Sequence, residues 1–142
     1  MADQPTNEIE ATQQLCAAAE AALEEAQAAT AEKVQQQDAA QQRIAEAQAE
    51  IELLSAQIRR TPLTDAAAFS QLAQARTAVR ARVEALQEAA SVAAQELATA
   101  QAAEAEPMRM LTRARVKHLD ARAKAIDAEM VEIGRASCRE RV

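Results

Sequence analysis

Between Glu8 and Arg60 the apolar and small residues fall on two interleaved series, each with a strict spacing of seven. One runs Ile9, Cys16, Leu23, Thr30, Gln37, Ile44, Ile51, Ile58; the other, three positions later, runs Thr12, Ala19, Ala26, Lys33, Ala40, Ala47, Leu54. Such a repeat marks a helix with one packing seam, and a sustained seven-residue period implies a left-handed supercoil. No Gly or Pro interrupts the segment, and Ala, Gln, Glu and Leu are good helix formers. The pattern therefore predicts one helix over 8–60, on the order of 80 Å long, after a disordered start over 1–7. The seam is strong near Ile58 and weak around Thr30, Lys33 and Gln37, where polar residues set register or, for Lys33, snorkel out of a thin Ala interface.

The segment RRTPLTDAAAF ends this helix. Arg59 and Arg60 complement the negative end of the helix dipole, and Pro62 pushes Thr61 out of helical geometry. Residues 61–64 form the turn, Thr64 is the expected cap of the next helix, and Asp65 stands in its first turn. The second helix, over 65–106, carries its own two series: Phe69, Arg76, Val83, Ala90, Leu97, Glu104, and Leu72, Val79, Leu86, Ala93, Ala100. A short turn between long helices makes them antiparallel, so facing residues have a nearly constant sum of position numbers. Ile58 then faces Phe69, Leu54 faces Leu72, Ala47 faces Val79, Ile44 faces Val83, Ala40 faces Leu86, Thr30 faces Leu97 and Cys16 faces Leu111. Several layers match a small residue with a large one, which allows close approach without overpacking. Pro107 removes a helical hydrogen bond and predicts a kink or break. Beyond it the apolar phase slips by one position to Leu111, Leu119 and Ile126, giving a kinked continuation or third helix over 107–132.

The expected fold is thus all-α: a long antiparallel coiled-coil hairpin whose second helix is kinked or broken near Pro107. Composition agrees, with 40 Ala, one Phe, no Tyr or Trp and one Gly among 142 residues, leaving too few β-branched, aromatic and turn residues for a sheet. The thirteen large seam residues are Ile9, Leu23, Ile44, Ile51, Leu54, Ile58, Phe69, Leu72, Val79, Val83, Leu86, Leu97 and Leu111. They are few for so long a hairpin. Self-association into a four-helix dimer, or docking on a protein partner through helix packing, is expected.

Residues 132–142, EIGRASCRERV, depart from the Ala-rich text. From Ile133 onward they resemble the in-frame translation of a common short-read sequencing adapter, ATC GGA AGA GCG TCG TGT AGG GAA AGA GTG. The stretch 133–142 is accordingly expected to be non-native, and is set aside from the fold argument as a fusion scar would be. The chain is then expected to be a fragment with its natural C-terminus beyond residue 131. Cys16 alone remains, and a lone Cys in an Ala run reads as a small apolar seam residue with no disulfide framework. The start MADQPTNEIE lacks the basic and apolar regions of a secretory signal, and no run reaches the ~18 apolar residues of a membrane span. A cytoplasmic location, or a particle assembled in the cytoplasm, is expected.

The formal net charge is −6, but it is unevenly spread, from an acidic start to a mildly basic segment after Pro107. There Arg109, Arg113, Arg115, Lys117, Arg122 and Lys124 form a candidate docking stripe for an acidic protein surface or nucleic acid. The stripe equally balances Glu8 and Glu10, which the hairpin places opposite. Asp120, Asp127 and Glu129 dilute it and no aromatic residue is available for stacking, so nucleic acid is not the expected partner. His118, the only His, falls near the seam opposite Ile9 and reads as packed or surface. The chain carries no Gly-rich phosphate loop, ligand-spaced Cys/His cluster or nucleophile motif. No catalytic, cofactor-binding or metal-binding residue and no cofactor is assigned, and an enzyme is not expected.

The function expected is a structural or assembly role as scaffold, spacer or adaptor. In size, acidity and basic C-terminal segment the chain is similar to bacteriophage scaffolding proteins. Its hairpin layout also resembles the flagellar and type III export stalk family, whose chains usually begin basic where this one begins acidic. A nucleic-acid-associated protein using the stripe from Arg109 to Lys124 is a further alternative.

Overall fold

The computed structural model describes residues 4–141 and is all-α. Among the described residues it has helices α1 (Gln4–Arg60), α2 (Ala66–Ala103) and α3 (Ala105–Glu140), and α1 and α2 pack as a helical hairpin. Helix α1 starts four residues ahead of the expected Glu8. Pro5 is compatible with that, because the first-turn N–H groups of a helix lack intrahelical acceptors and a missing one costs nothing there. The chain divides into two compact units, Ala29–Ala100 and Met1–Ala28 with Gln101–Val142.

In the unit Ala29–Ala100 the reversal is built from a few local bonds. The Thr61 N–H donates to the carbonyls of Gln57 and Ile58 at 3.0 and 3.2 Å, closing α1 ahead of Pro62, and the Asp65 N–H donates to Pro62 O at 3.0 Å across the turn. Asp65, and not the expected Thr64, caps α2. Its Oδ1 accepts the Ala68 N–H at 3.1 Å, while its carbonyl takes the first helical bond, from Phe69 N–H, at 3.1 Å. The turn consumes one residue more than 61–64, which moves the cap along by one. The seam away from the turn is closed by Ala47, Val79 and Val83, with Ile51, Leu54 and Leu86 packed around them. Ala47 is 2% exposed because two valines of α2 close over it. Phe69, placed in the seam by its spacing, is 41% exposed, since in the first turn of α2 too little of the hairpin extends past it to cover a ring.

In the second unit the early part of α1 packs against α3. Ala19, Leu23 and Leu111 form its buried cluster, and Ala114 and Ala121 continue the contact line along α3. The interruption near Pro107 is brief. Without an N–H, Pro107 leaves the Ala103 carbonyl without its helical donor, and α2 ends at that residue. Glu104 keeps right-handed helical angles (φ −69°, ψ −22°), and the next bond, Met108 N–H to Glu104 O at 3.1 Å, is already helical.

The expected slip of phase beyond Pro107 does not occur. The older series simply continues through Leu111, His118 and Ala125, with Pro107, Ala114 and Ala121, all buried or half-buried. Leu119 and Ile126, expected to take over the seam, are 61% and 56% exposed. The skipped bond costs one hydrogen bond but inserts no residue, so the angular phase of the helix carries through, and Ala and His fill the seam where larger side chains were expected. The stretch 133–142 continues α3 as far as Glu140, and residues 126–141 are all exposed.

Candidate functional site

The inward face of α1 is the predicted one. Ile9, Cys16, Leu23, Thr30, Gln37, Ile44, Ile51, Ile58 and the companion series Thr12 to Leu54 are each buried or half-buried. On α2, Leu72, Val79, Val83, Leu86 and Leu97 are likewise covered. The polar members of the seam have partners. Lys33 Nζ reaches Glu96 Oε2 at 2.6 Å and Gln36 Oε1 at 3.2 Å, leaving its side chain one-third exposed. The hydrogen bond to Glu96 raises the Lys33 pKa above its ordinary value; desolvation opposes it, and the nearby charges of Glu96 and Glu32 add to the rise.

His118 meets Thr12, half a heptad away from the expected Ile9. The Thr12 hydroxyl lies 3.0 Å from His118 Nδ1 and 2.9 Å from both the Glu8 and Ile9 carbonyls. The direction of this offset has a cause that it shares with four ion pairs between helices. Helical side chains tilt toward their own N-terminus, so in an antiparallel pair the two partners lean toward each other and meet only when displaced in one sense. Lys33 with Glu96, Glu50 with Arg82, Glu20 with Arg115 and Glu8 with Lys124 are all displaced in that same sense from the layers of the apolar seam.

The six basic residues of the proposed stripe are not brought together on one patch. Arg115 pairs with Glu20 at 3.2 Å and Lys124 with Glu8 at 3.4 Å, both across to α1, and Arg109 pairs with Glu106 on its own helix at 3.6 Å. Arg113 and Lys117 line an open groove of about 500 Å³ together with Leu15, Ala22, Pro107 and Met110. The groove exists because Ala and Pro are too small to fill the space between the two helices there. Arg122 is exposed, and among the described residues it makes no ion pair.

What the spacing did disclose, read the other way round, is a second apolar line on α3. Val116, Leu119, Ala123, Ile126, Met130 and Ile133 alternate by three and four residues and are all exposed, the five larger ones by between 54% and 64%. At about 100° per residue this line lies roughly 130° round the helix from the buried one. Helix α3 is therefore two-faced: Leu111, Ala114, His118, Ala121 and Ala125 face α1, and a set of larger residues faces outward. Comparison of the chain with protein-family models, curated proteins and solved structures returns no match. Among the described residues, no helix is long and apolar enough to cross a membrane.

Proposed function

We propose that the chain is a non-enzymatic structural or assembly protein, a coiled-coil hairpin that acts as scaffold, spacer or adaptor by packing its helices against itself or another protein. One observation carries this reading. Among the described residues, five of the ten buried hydrophobic ones are Ala (Ala19, Ala47, Ala90, Ala114 and Ala121), whereas Leu15, Leu53, Val92, Leu119, Ile126 and Met130 are among the large side chains left exposed. A seam of Ala brings backbones close but removes little apolar area from water, and burial scales with that area. Further association is what would cover the rest.

The test is thermal melting followed by circular dichroism over a hundredfold range of concentration, with sedimentation equilibrium in parallel. Association linked to folding raises Tm with concentration and gives a mass above the 15.2 kDa of one chain. A monomeric mass at micromolar concentration, with cooperative and concentration-independent melting, would overturn the reading.

A further inference from the structure

The outward line on α3 also carries a charge pattern, and the pattern selects an occupant. With Val116, Ala123 and Met130 at heptad position a and Leu119, Ile126 and Ile133 at d, the flanking g positions are Arg115, Arg122 and Glu129, and the e positions include Asp120 and Asp127. In a parallel two-stranded coiled coil each g residue approaches the e residue of the following heptad on the other strand, and these pairs set orientation. For two copies of this helix in register, Arg122 meets Asp127 of the second copy, and Arg115, which already pairs with Glu20 at 3.2 Å, stands opposite its Asp120. Both matches are opposite in sign, and symmetry repeats each. An antiparallel arrangement centred on the same line sets Asp120 against Asp127 of the second copy, like against like, and offers only Arg122 with Glu129 in return. In the first heptad, Val116 at a with Leu119 at d is also the combination that favours two parallel strands.

We propose that the protein forms a parallel homodimer through the outward face of α3, with Val116, Leu119, Ala123, Ile126 and Met130 as its core and Arg122 with Asp127 as the pair that fixes orientation. The proposal rests on the assembly reading above and names its partner, a second copy. The face is available, because its large residues are exposed while the opposite face of α3 is occupied by α1. Arg122 and Asp127 are free to serve it, since among the described residues neither is engaged in an ion pair.

Sedimentation equilibrium of the full chain and three variants decides the matter, with far-UV circular dichroism to establish that each variant is folded. Wild type is expected to be a dimer at micromolar concentration, and L119E/I126E a folded monomer, because both positions are exposed within one chain. D127R sets Arg against Arg122 in the parallel pairing and is expected to weaken the dimer about tenfold; R122E/D127R restores the pair with its signs reversed and recovers the affinity. In the antiparallel pairing D127R removes a repulsion, so tighter association of that variant would overturn the proposal. A dimer that persists in L119E/I126E would also overturn it, while leaving the assembly reading intact with its interface elsewhere. A wild-type chain that stays monomeric throughout would remove both.

Discussion

Thr12 is the polar residue that the described seam buries, at 7% exposure, and its position explains why the seam tolerates His118. The hydroxyl satisfies its donor within α1 and still has capacity for the imidazole, and among the described residues no buried side-chain polar atom is left unpaired. Thr12→Val keeps the shape but strands the ring nitrogen, and is expected to cost about 1 kcal/mol in chemical denaturation. Adding His118→Leu removes the stranded group and places an aliphatic side chain at a seam position, so the double variant should recover that loss or exceed wild type. A double variant no more stable than T12V would show that the contact contributes nothing beyond packing. Lys33 offers a test in pH. Its pKa is raised in the folded chain, first by the hydrogen bond to Glu96, so its stabilisation is complete below the unfolded lysine pKa of about 10.4 and is lost as pH rises through the higher folded value. Tm should fall in that alkaline window, and Glu96→Gln should flatten the part of the fall that Lys33 contributes.

At the scale of elements, the features that local chemistry dictates were legible in the residues, and those decided by competition between neighbours were not. The seam of α1 could be read from Ile9 to Ile58 because seven-residue spacing leaves one face for burial. Pro62 marked the reversal because it cannot continue a helix. Thr64 and Asp65, by contrast, are both good caps, and the choice fell to Asp65 only because the turn closes between Pro62 O and Asp65 N–H. Asp65→Ala is expected to cost about 1 kcal/mol and Thr64→Ala almost nothing, measured by urea unfolding. In α3 size is not the mark of burial. Leu119 and Ile126 are larger than His118 and Ala125, yet the smaller set faces α1. The signal for the outward face was present in the unbroken line from Val116 to Met130, with Arg122 and Asp127 beside it. Pro107 acts on the backbone alone: Pro107→Ala supplies the missing donor for the Ala103 carbonyl and should join α2 to α3. A stabilisation of about 1–3 kcal/mol is expected, together with slower hydrogen exchange at the amides of residues 104–106 and 108. Unchanged exchange there would mean that the interruption has a cause other than the absent N–H.

For the molecule as a whole, what lies beyond the paired helices should be separable from what holds them. The buried residues of the unit containing α3 end with Ala121, Ala125 is the last half-buried position, and every residue from 126 to 141 is exposed. Residues 133–140, within the stretch expected from its sequence to be non-native, therefore contribute helix but no intrachain packing, and an added methyl group at Gly134 would meet nothing beyond its own helical turn within 4 Å. Removing 133–142 should leave the unfolding free energy unchanged to within about 0.5 kcal/mol, the usual range for surface changes that disturb no special feature, and lower the helical signal only in proportion to the residues lost. The comparison belongs in the L119E/I126E background, where pairing through the outward face of α3 is switched off and Ile133 cannot contribute through a second copy. If the shortened chain is instead clearly less stable, the last turns of α3 take part in the fold, and these ten residues have to be counted as part of the protein's working structure.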